Sequence, residues 1–274
     1  MITADLHTHT FFSADGREDM RNMIEKAIEL KMTHYGTSEH FDYDFMRRNV
    51  WIDGKPVREI DAPAYFKRAR RLQKEYAGKI NYLVGCEFAY DQSNYCKLLY
   101  QNIEKQYKPD YIINSAHLCL GGDCYAPEFF EGKSKELTYN AYLYVVLESL
   151  DAPYPYDIVG HIGYCSRNAK YPDPKLRYTE YKDVIDKILK KIIAYDKILE
   201  INTSSKTAGS AFLPDTDILQ KYYDLGGRNV IFSSDAHNAA RIGEKRETVA
   251  SALKEIGFTH ITVPCKGKRI LLEF

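Results

Sequence analysis

The sequence lacks a targeting segment and any long hydrophobic run. The stretch from Met1 to Asp5 has neither the basic nor the apolar region of a signal peptide. No apolar run approaches the roughly 20 residues that a helix needs to cross a bilayer. These absences predict a cytoplasmic protein with no membrane partner.

Cysteine is scattered, and neither sign of charge is in excess. The six cysteines form no C-x-x-C pair, and a chain of 274 residues can bury a core without disulfides. We therefore expect reduced thiols. Lys plus Arg and Asp plus Glu both number 38, so the formal net charge is zero. The chain therefore lacks the excess of positive charge that is typical of nucleic-acid-binding proteins. Any anionic ligand must be held by a local site.

Short β-rich runs alternate with amphipathic stretches along the chain. The strand candidates are 3–7, 35–39, 82–87, 111–117, 157–161, 197–202 and 229–235, with a weaker run at 260–263. Between them apolar residues recur at helical spacing, as at Met20, Met23 and Ala27. This alternation predicts an α/β fold with a parallel sheet, either a closed barrel or an open doubly wound sheet. We expect one domain over 1–274, with an insertion at about 41–78 over the active face.

Ionisable residues gather where the strand candidates end. They are His7, His9, Asp15, His40, Glu87, His117, His161, Asp235 and His237. Because ligands bind at the carboxyl ends of parallel strands, these side chains are expected to meet. A set of His, Asp and Glu without cysteine suits hard or borderline divalent metals.

Each of these residues taken alone has a plainer explanation. A single H-x-H pair is weak evidence, Asp15 before Gly16 also suits a turn or a helix N-cap, and Glu87 alone could cap a helix. The joint pattern favours the metal interpretation, since six of the eight histidines share it. The other two, His34 and His260, lie at strand beginnings and are expected to be structural.

The motifs at the strand ends resemble, in order, those of the PHP (polymerase and histidinol phosphatase) family. They are His7-Thr8-His9, Ser38-Glu39-His40, Gly85-Cys86-Glu87, Ala116-His117, Gly160-His161 and Ser234-Asp235-Ala236-His237. The resemblance spans residues 3 to 237. It implies a distorted seven-stranded β/α barrel, similar to a TIM barrel, that holds three divalent metal ions, either manganese, iron or zinc.

The resemblance also implies how the ligands are shared. The first metal would be held by His7, His9, Glu87 and Asp235, the second by Glu87, His117 and His161, and the third by Asp15, His40 and His237. Many family members have histidine where this chain has Asp15, and an oxygen ligand there favours manganese or iron. Glu87, Asp235 and His237 are the predicted catalytic residues.

By the same resemblance, the chain is expected to be a phosphoric monoester hydrolase that uses metal-activated water. The chain length, the Asn202-Thr203-Ser204 strand end and the loop from Gly160 to Arg167 look most like the histidinol-phosphate phosphatase branch, which acts in histidine biosynthesis. Other phosphomonoesters, nucleotides or phosphotyrosine are alternative substrates. A metal-dependent amidohydrolase is disfavoured because no strand ends on lysine. A non-catalytic metal-binding module is disfavoured because the ligand set is complete.

Four residues are predicted to bind the substrate. Arg167 is expected to clamp the phosphate, because a guanidinium matches phosphate bidentately; pairing with a neighbouring acid is the plainer alternative. Asp42 is expected to face the amine or imidazole of the substrate, and Glu200 and Asn202 to supply further polar contacts. Lesser candidates are Lys206 and Arg48 for the phosphate, and Phe41 and Tyr43 for stacking.

Overall fold

The computed structural model describes residues 1–49, 51–52 and 55–274. The strands are β1 (Ala4–Asp5), β2 (His34–Phe41), β3 (Trp51–Ile52), β4 (Lys55–Pro56), β5 (Asn81–Ala89), β6 (Tyr111–Ser115), β7 (Leu118–Cys119), β8 (Gly122–Asp123), β9 (Ile158–Val159), β10 (Ile198–Asn202), β11 (Val230–Ser233), β12 (His260–Cys265) and β13 (Lys268–Glu273). The helices are α1 (Met20–Glu29), α2 (Tyr43–Arg47), α3 (Ala62–Glu75), α4 (Asn94–Tyr107), α5 (Lys135–Ser149), α6 (Lys182–Ala194), α7 (Thr216–Asp224) and α8 (Arg246–Ile256). Among the described helices, none has the length and apolar character that a bilayer crossing needs. The six cysteines are free, as expected.

Seven strands form one parallel sheet that curls into a nearly closed barrel. Their order is β1-β2-β5-β6-β9-β10-β11, and every neighbouring pair is parallel. The two ends of the sheet meet where Thr8 pairs with Ala236 and where the His9 N–H donates to the Ala236 carbonyl at 2.8 Å. The seven main strand candidates are confirmed, and so is the seven-stranded barrel that the family resemblance implies.

A tyrosine crosses the interior of the barrel. The ring and hydroxyl of Tyr111 lie against Gly36 and Gly85, where an added Cβ would come within 2.4 Å of them. Only glycine leaves room for the ring at these two positions. The Tyr111 hydroxyl donates to the carbonyl of Leu6 and, at 3.2 Å, to that of Thr37, so the buried phenol is satisfied. This contact ties the barrel interior to the strand that precedes His7.

A C-terminal hairpin covers the amino end of the barrel. β12 and β13 pair antiparallel and stay outside the seven-stranded sheet. The Lys266 N–H donates to the Asp110 carbonyl at 2.9 Å, and Arg269 pairs with Asp196 at 2.5 Å. Asp110 and Asp196 lie just before β6 and β10, so the hairpin contacts the beginnings of these strands. The weak strand predicted at 260–263 is confirmed, whereas its partner β13 was not predicted.

The segment 41–78, predicted to cover the active face, divides into two parts. Residues 50, 53 and 54 of this segment lie outside the described residues. Asp42 and Phe45 line the pocket at the carboxyl end. Helix α3 instead forms the crossover that a parallel β2-β5 connection requires, and its Arg70 donates to Asp110 at the amino end at 2.7 Å. The beginning of the segment thus contributes to the pocket, whereas α3 connects β2 to β5.

Candidate metal centre

The nine predicted ligands converge at the carboxyl end of the barrel. His7 and His9 follow β1, Asp15 lies in the next loop, His40 belongs to β2, Glu87 to β5, His117 follows β6, His161 follows β9, and Asp235 and His237 follow β11. Their convergence follows from the parallel sheet, which places all carboxyl ends on one edge. His34 and His260 instead begin β2 and β12, as predicted, and a structural role stays the prediction for them.

Four residues form a first cluster of facing ligand atoms. His7 Nε2 lies 3.3 Å from Glu87 Oε2 and 3.8 Å from Asp235 Oδ1. His9 Nε2 lies 3.7 and 3.4 Å from the same two oxygens. Two ligands at about 2.0–2.1 Å from a tetrahedral ion are about 3.3–3.4 Å apart. One ion therefore fits among these four atoms.

A second cluster shares Glu87 with the first. His117 Nε2 and His161 Nε2 are 3.4 Å apart, and they lie 3.4 and 2.9 Å from Glu87 Oε1. The Ser115 hydroxyl donates to the same oxygen at 2.6 Å and orients the carboxylate. Glu87 thus directs one oxygen to each cluster, which is the arrangement of a carboxylate that bridges two ions.

A third cluster lies beside His9. Asp15 Oδ2 is 3.1 Å from His237 Nε2, and Asp15 Oδ1 is 3.6 Å from His40 Nε2. The rings of His40 and His237 stack on His9 with centroid distances of 4.0 and 4.4 Å. The nitrogens of the three imidazoles also come together in a group that could hold an ion, so His9 lies between the first and third clusters.

The ligand atoms are chemically suited to cations. Several are buried and have no hydrogen-bond partner in the described part of the chain: His7 Nε2, His9 Nε2, Asp15 Oδ1, Glu87 Oε2 and His237 Nε2. Leaving one such group unpaired costs about 1–3 kcal/mol, and a cluster of them needs another partner. Imidazole nitrogens and carboxylate oxygens are the ligands that zinc, manganese and iron accept. The residues present therefore fit a group of divalent ions.

The electrostatics of the centre keep its carboxylates ionised. Burial alone would raise the pKa of Glu87, but the neighbouring imidazoles, His7 above all, lower it well below its usual value. Burial opposes ionisation of Asp235 too, yet His7 and Arg167 hold its pKa well below normal. Burial would lower the pKa of His7, but Glu200 and Glu87 raise it well above its ordinary value. Because a metal binds the neutral imidazole, protons and metals compete for this centre.

A buried carboxylate that is not a predicted ligand, Glu39, holds the loop after β1. It accepts hydrogen bonds from the backbone N–H and the hydroxyl of both Thr10 and Ser13. The Ser13 hydroxyl oxygen also accepts the backbone N–H of His40 at 3.0 Å. Glu39 therefore connects the loop to the strand that carries His40. The sequence places Glu39 beside a ligand but does not indicate this role.

The clusters open into a pocket of about 290 Å³. Besides seven of the nine ligands (all but His7 and His9), it is lined by Asp42, Phe45, Asp123, Tyr125, Tyr164, Arg167, Ser204, Lys206 and Arg241. This volume lies near the lower end of the roughly 300–1,000 Å³ typical of small-molecule sites. The lining includes both cationic and anionic side chains, which suits a small ligand that carries both charges.

Six residues that line the pocket were not predicted to do so: Phe45, Asp123, Tyr125, Tyr164, Ser204 and Arg241. Asp123 and Tyr125 follow the β7-β8 turn, and Asp123 accepts the Tyr125 N–H at 2.8 Å. Burial raises the pKa of Asp123. The ring of Tyr164 packs against His117 and His161 at 4.9 and 5.1 Å. Proximity to a predicted strand end was the only available signal, and many loop residues share it.

Of the four residues predicted to bind the substrate, two line the pocket and two are buried in the protein. Arg167 and Asp42 line the pocket, and Arg167 also donates to Asp235 Oδ2 at 2.8 Å. Glu200 and Asn202 are fully buried and do not line it. Asn202 Oδ1 accepts from Arg167 at 2.9 Å, and Glu200 contacts His7. The predicted substrate contacts of Glu200 and Asn202 are therefore corrected, because their polar atoms are engaged within the protein.

The lesser candidates also occupy different places. Lys206 lines the pocket, and its ammonium contacts a tyrosine hydroxyl. Arg48 pairs with a carboxylate in the loop after β5 and does not line the pocket. Phe41 and Tyr43 belong to the buried core. Phe45 of the same segment lines the pocket, and its ring lies 5.7 Å from that of His117.

Comparison with known proteins agrees with this geometry. The PHP domain model matches residues 5–204. A protein of Clostridium acetobutylicum named probable histidinol-phosphatase is 31% identical over 87% of this chain and 88% of its own length. The histidinol-phosphatase of Lactococcus lactis is 27% identical over 98% of this chain and 97% of its own length. A crystal structure of histidinol phosphate phosphatase from that organism, in complex with zinc, L-histidinol and phosphate, covers 98% of both chains with 25% identity and a TM-score of 0.83. Because the domain model matches residues 5–204 and the barrel has the architecture of the L. lactis structure, this chain belongs to the PHP domain family.

Proposed function

We propose that this chain is a metal-dependent phosphoric monoester hydrolase that converts L-histidinol phosphate to L-histidinol and phosphate. One observation carries the proposal: a single pocket combines metal-ligand clusters and Arg167 with the carboxylates of Asp42 and Asp123. The similarity to the histidinol-phosphatases of C. acetobutylicum and L. lactis, over most of each chain, supports it. So does the L. lactis structure that contains L-histidinol and phosphate.

The centre is proposed to hold three divalent ions, one in each cluster. The zinc in the L. lactis structure supports zinc, while the oxygen ligands of Asp15 in the third cluster also suit manganese or iron. When bound, such ions neutralise charge on phosphoryl oxygens and lower the pKa of a water molecule that attacks phosphorus.

Arg167 is proposed to bind the phosphoryl group. Its guanidinium is almost fully buried and lies 5.0 Å from the centre of the Tyr164 ring. One terminal nitrogen is held by both Asp235 and Asn202, whereas Nε has no hydrogen-bond partner among the described residues. The guanidinium is therefore fixed in the pocket with a donor still available. A preorganised cation of this kind stabilises the charge that develops during phosphoryl transfer.

Asp42 is proposed to bind the cationic end of the substrate. It is buried at the pocket wall, and its Oδ1 has no hydrogen-bond partner among the described residues. Histidinol phosphate carries an ammonium group and an imidazole, both of which donate hydrogen bonds to carboxylates. The rings of Phe45 and Tyr164 line the same pocket and offer surfaces on which an imidazole can pack. The two ends of the substrate thus meet surfaces of opposite charge.

Phosphate release from several esters tests the substrate. The expected result is that L-histidinol phosphate is hydrolysed with the highest kcat/KM, above nucleoside monophosphates and phosphotyrosine. A pocket with paired charged surfaces discriminates against esters that leave one surface unpaired. Preference for another ester by about a hundredfold, or some 2.7 kcal/mol, would overturn the assignment.

An Asp42→Asn variant tests the cationic subsite. Loss of a charged hydrogen bond costs about 1.5–3 kcal/mol, so kcat/KM for L-histidinol phosphate should fall about 10- to 100-fold. Hydrolysis of p-nitrophenyl phosphate, which has no cationic group, should change far less and serves as the internal control. An equal loss with both esters would show that Asp42 does not act through the cationic end.

A further inference from the structure

Glu200 lies beneath the first two metal clusters, at the end of β10. Its side chain is fully buried. Oε1 lies 2.5 Å from His7 Nδ1, and Oε2 accepts the backbone N–H of His161 at 2.5 Å. Asn202 Nδ2 approaches the same Oε2 at 3.3 Å. Groups of the protein therefore occupy both carboxylate oxygens.

The contact with His7 decides which ring nitrogen can bind a metal. A carboxylate accepts hydrogen bonds, so Nδ1 carries the proton that is donated to Glu200. The lone pair of the neutral ring is then on Nε2, the atom that faces Glu87 and Asp235. A carboxylate on the outer nitrogen also fixes the ring plane and raises the basicity of the metal-facing nitrogen.

His7 differs from the other five histidines of the centre in what its Nδ1 contacts. At His40, Nδ1 lies 2.7 Å from the predicted ligand Glu87. His9 Nδ1 has a serine hydroxyl at 3.3 Å, and His237 Nδ1 has a backbone carbonyl at 3.0 Å. Within the described residues, Nδ1 of His117 and of His161 has no hydrogen-bond partner. His7 alone of these six has, in the described part of the chain, a carboxylate that is not itself a predicted ligand within hydrogen-bond distance of Nδ1.

The second oxygen of Glu200 contacts a residue of the neighbouring cluster. His7 faces Glu87 Oε2 in the first cluster, and His161 faces Glu87 Oε1 in the second; His7, His161 and Asp235 also come close enough to hold an ion together. Because Oε2 holds the backbone N–H of His161, one rigid carboxylate sets the positions of two ligands that lie far apart in the sequence. A shift of Glu200 would move both.

We infer that Glu200 is a positioning residue: it fixes the tautomer of His7 and ties the His7 ligand to the strand end that carries His161. It acts on metal binding and does not contact the substrate. The inference rests on the metal centre of the proposed function and is independent of which ester is hydrolysed.

A Glu200→Gln variant tests this role through metal affinity. An amide accepts hydrogen bonds only through its one oxygen, so the variant loses either the His7 contact or the His161 contact. Metal-free protein is titrated with zinc alone in competition with a chromophoric chelator. Loss of an outer-shell partner typically weakens metal binding about 10- to 100-fold, and we expect this for the tightest zinc ion.

An Asp110→Asn variant is the matched control. Asp110 is an equally buried carboxylate at the opposite end of the barrel, where Oδ2 accepts from Arg70, Gln73 and the Val84 N–H. The same change of carboxylate to amide there should leave zinc affinity unaltered. A zinc affinity of Glu200→Gln within about threefold of that of the unmodified protein would overturn the role of Glu200. If the unmodified protein bound no zinc, manganese or iron, the proposed metal centre would fail as well.

Histidine ¹⁵N NMR of the unmodified, zinc-bound protein provides a second test that needs no folded Glu200 variant. The expected spectrum shows His7 with a protonated Nδ1 and a metal-bound Nε2. A His7 ring that carries its proton on Nε2 would overturn the inference, even if the enzyme hydrolyses L-histidinol phosphate as proposed.

Discussion

Asp110 at the amino end of the barrel and Glu87 at the carboxyl end are both almost completely buried. Asp110 Oδ2 accepts from the Arg70 guanidinium at 2.7 Å and from the Val84 N–H at 2.9 Å. Glu87 Oε2 has no hydrogen-bond partner among the described residues and faces imidazole nitrogens instead. Asp110 Oδ1 likewise has no hydrogen-bond partner among the described residues, but it faces the Lys266 ammonium at 3.7 Å. The same chemical group is thus surrounded by cations at one end and by metal-ligand atoms at the other.

This difference indicates that the amino end of the barrel contributes mainly to stability and the carboxyl end mainly to metal binding and catalysis. A buried carboxylate with its own cation and backbone donors holds strands and helices together. A cluster of buried groups without partners costs stability, which the rest of the fold must supply until ligands bind. Residues at the amino end should therefore affect unfolding, and residues at the carboxyl end should affect metal binding and turnover.

The largest effect is expected from His117→Ala at the carboxyl end. The change removes one ligand of the second cluster and leaves the Arg167–Asp235 pair intact. Loss of several kcal/mol of transition-state stabilisation lowers kcat about a thousandfold. The rate of phosphate release measures this effect. The control is His34→Ala, which changes a buried histidine where β2 begins. This variant should keep nearly full activity. An equal loss of kcat in both variants would contradict the proposed difference between the two ends of the barrel.

Metal removal should affect activity and stability together. A ligand present at about 1,000 times its dissociation constant stabilises the folded state by about 4 kcal/mol. Chelation should therefore stop turnover and lower the Tm, and added zinc or manganese should restore both. The shift in Tm on chelation should be smaller in His117→Ala, which has lost a ligand. A Tm that does not change on chelation would contradict the conclusion that the buried carboxylates and imidazoles bind stabilising metal ions.

Asp110→Ala should change unfolding with little change in catalysis. It leaves Arg70 and the Val84 N–H without their acceptor, which costs about 1–3 kcal/mol. Urea unfolding of the metal-free protein measures this loss. The kcat of the folded variant should match that of the unmodified protein, and a large fall in kcat would show that the two ends are coupled.

The smallest effect is expected from Arg269→Ala in the C-terminal hairpin. Arg269 pairs with Asp196, whose side chain is 73% exposed. Exposed ion pairs contribute about 0.2–1 kcal/mol, so the unfolding midpoint in urea should shift only slightly and turnover should not change. If Arg269→Ala lost more unfolding free energy than Asp110→Ala, the exposed ion pair would be more important than the buried carboxylate at the amino end.

Much of the metal centre was predictable because its signal is local. Each ligand lies at or just after a β-rich run, and parallel strands bring such positions to one edge. The same rule placed Arg167 and Asp42 at the pocket. It misplaced Glu200 and Asn202, because a strand end includes residues directed into the protein as well as residues directed at the pocket. The hairpin partner β13 was missed, since its alternating residues are largely exposed.

The amino-acid sequence by itself determined the chemical types of the ligands, the order of the strands that carry them and the parallel arrangement that follows from β-α alternation. The family resemblance also implied the barrel and the sharing of Glu87 between two metals. Only the tertiary structure decided the distances between the ligand atoms and the contact of Glu200 with His7. These features depend on strand register and side-chain packing between residues far apart in the chain. No local pattern encodes such distances, because they are set by the whole barrel at once.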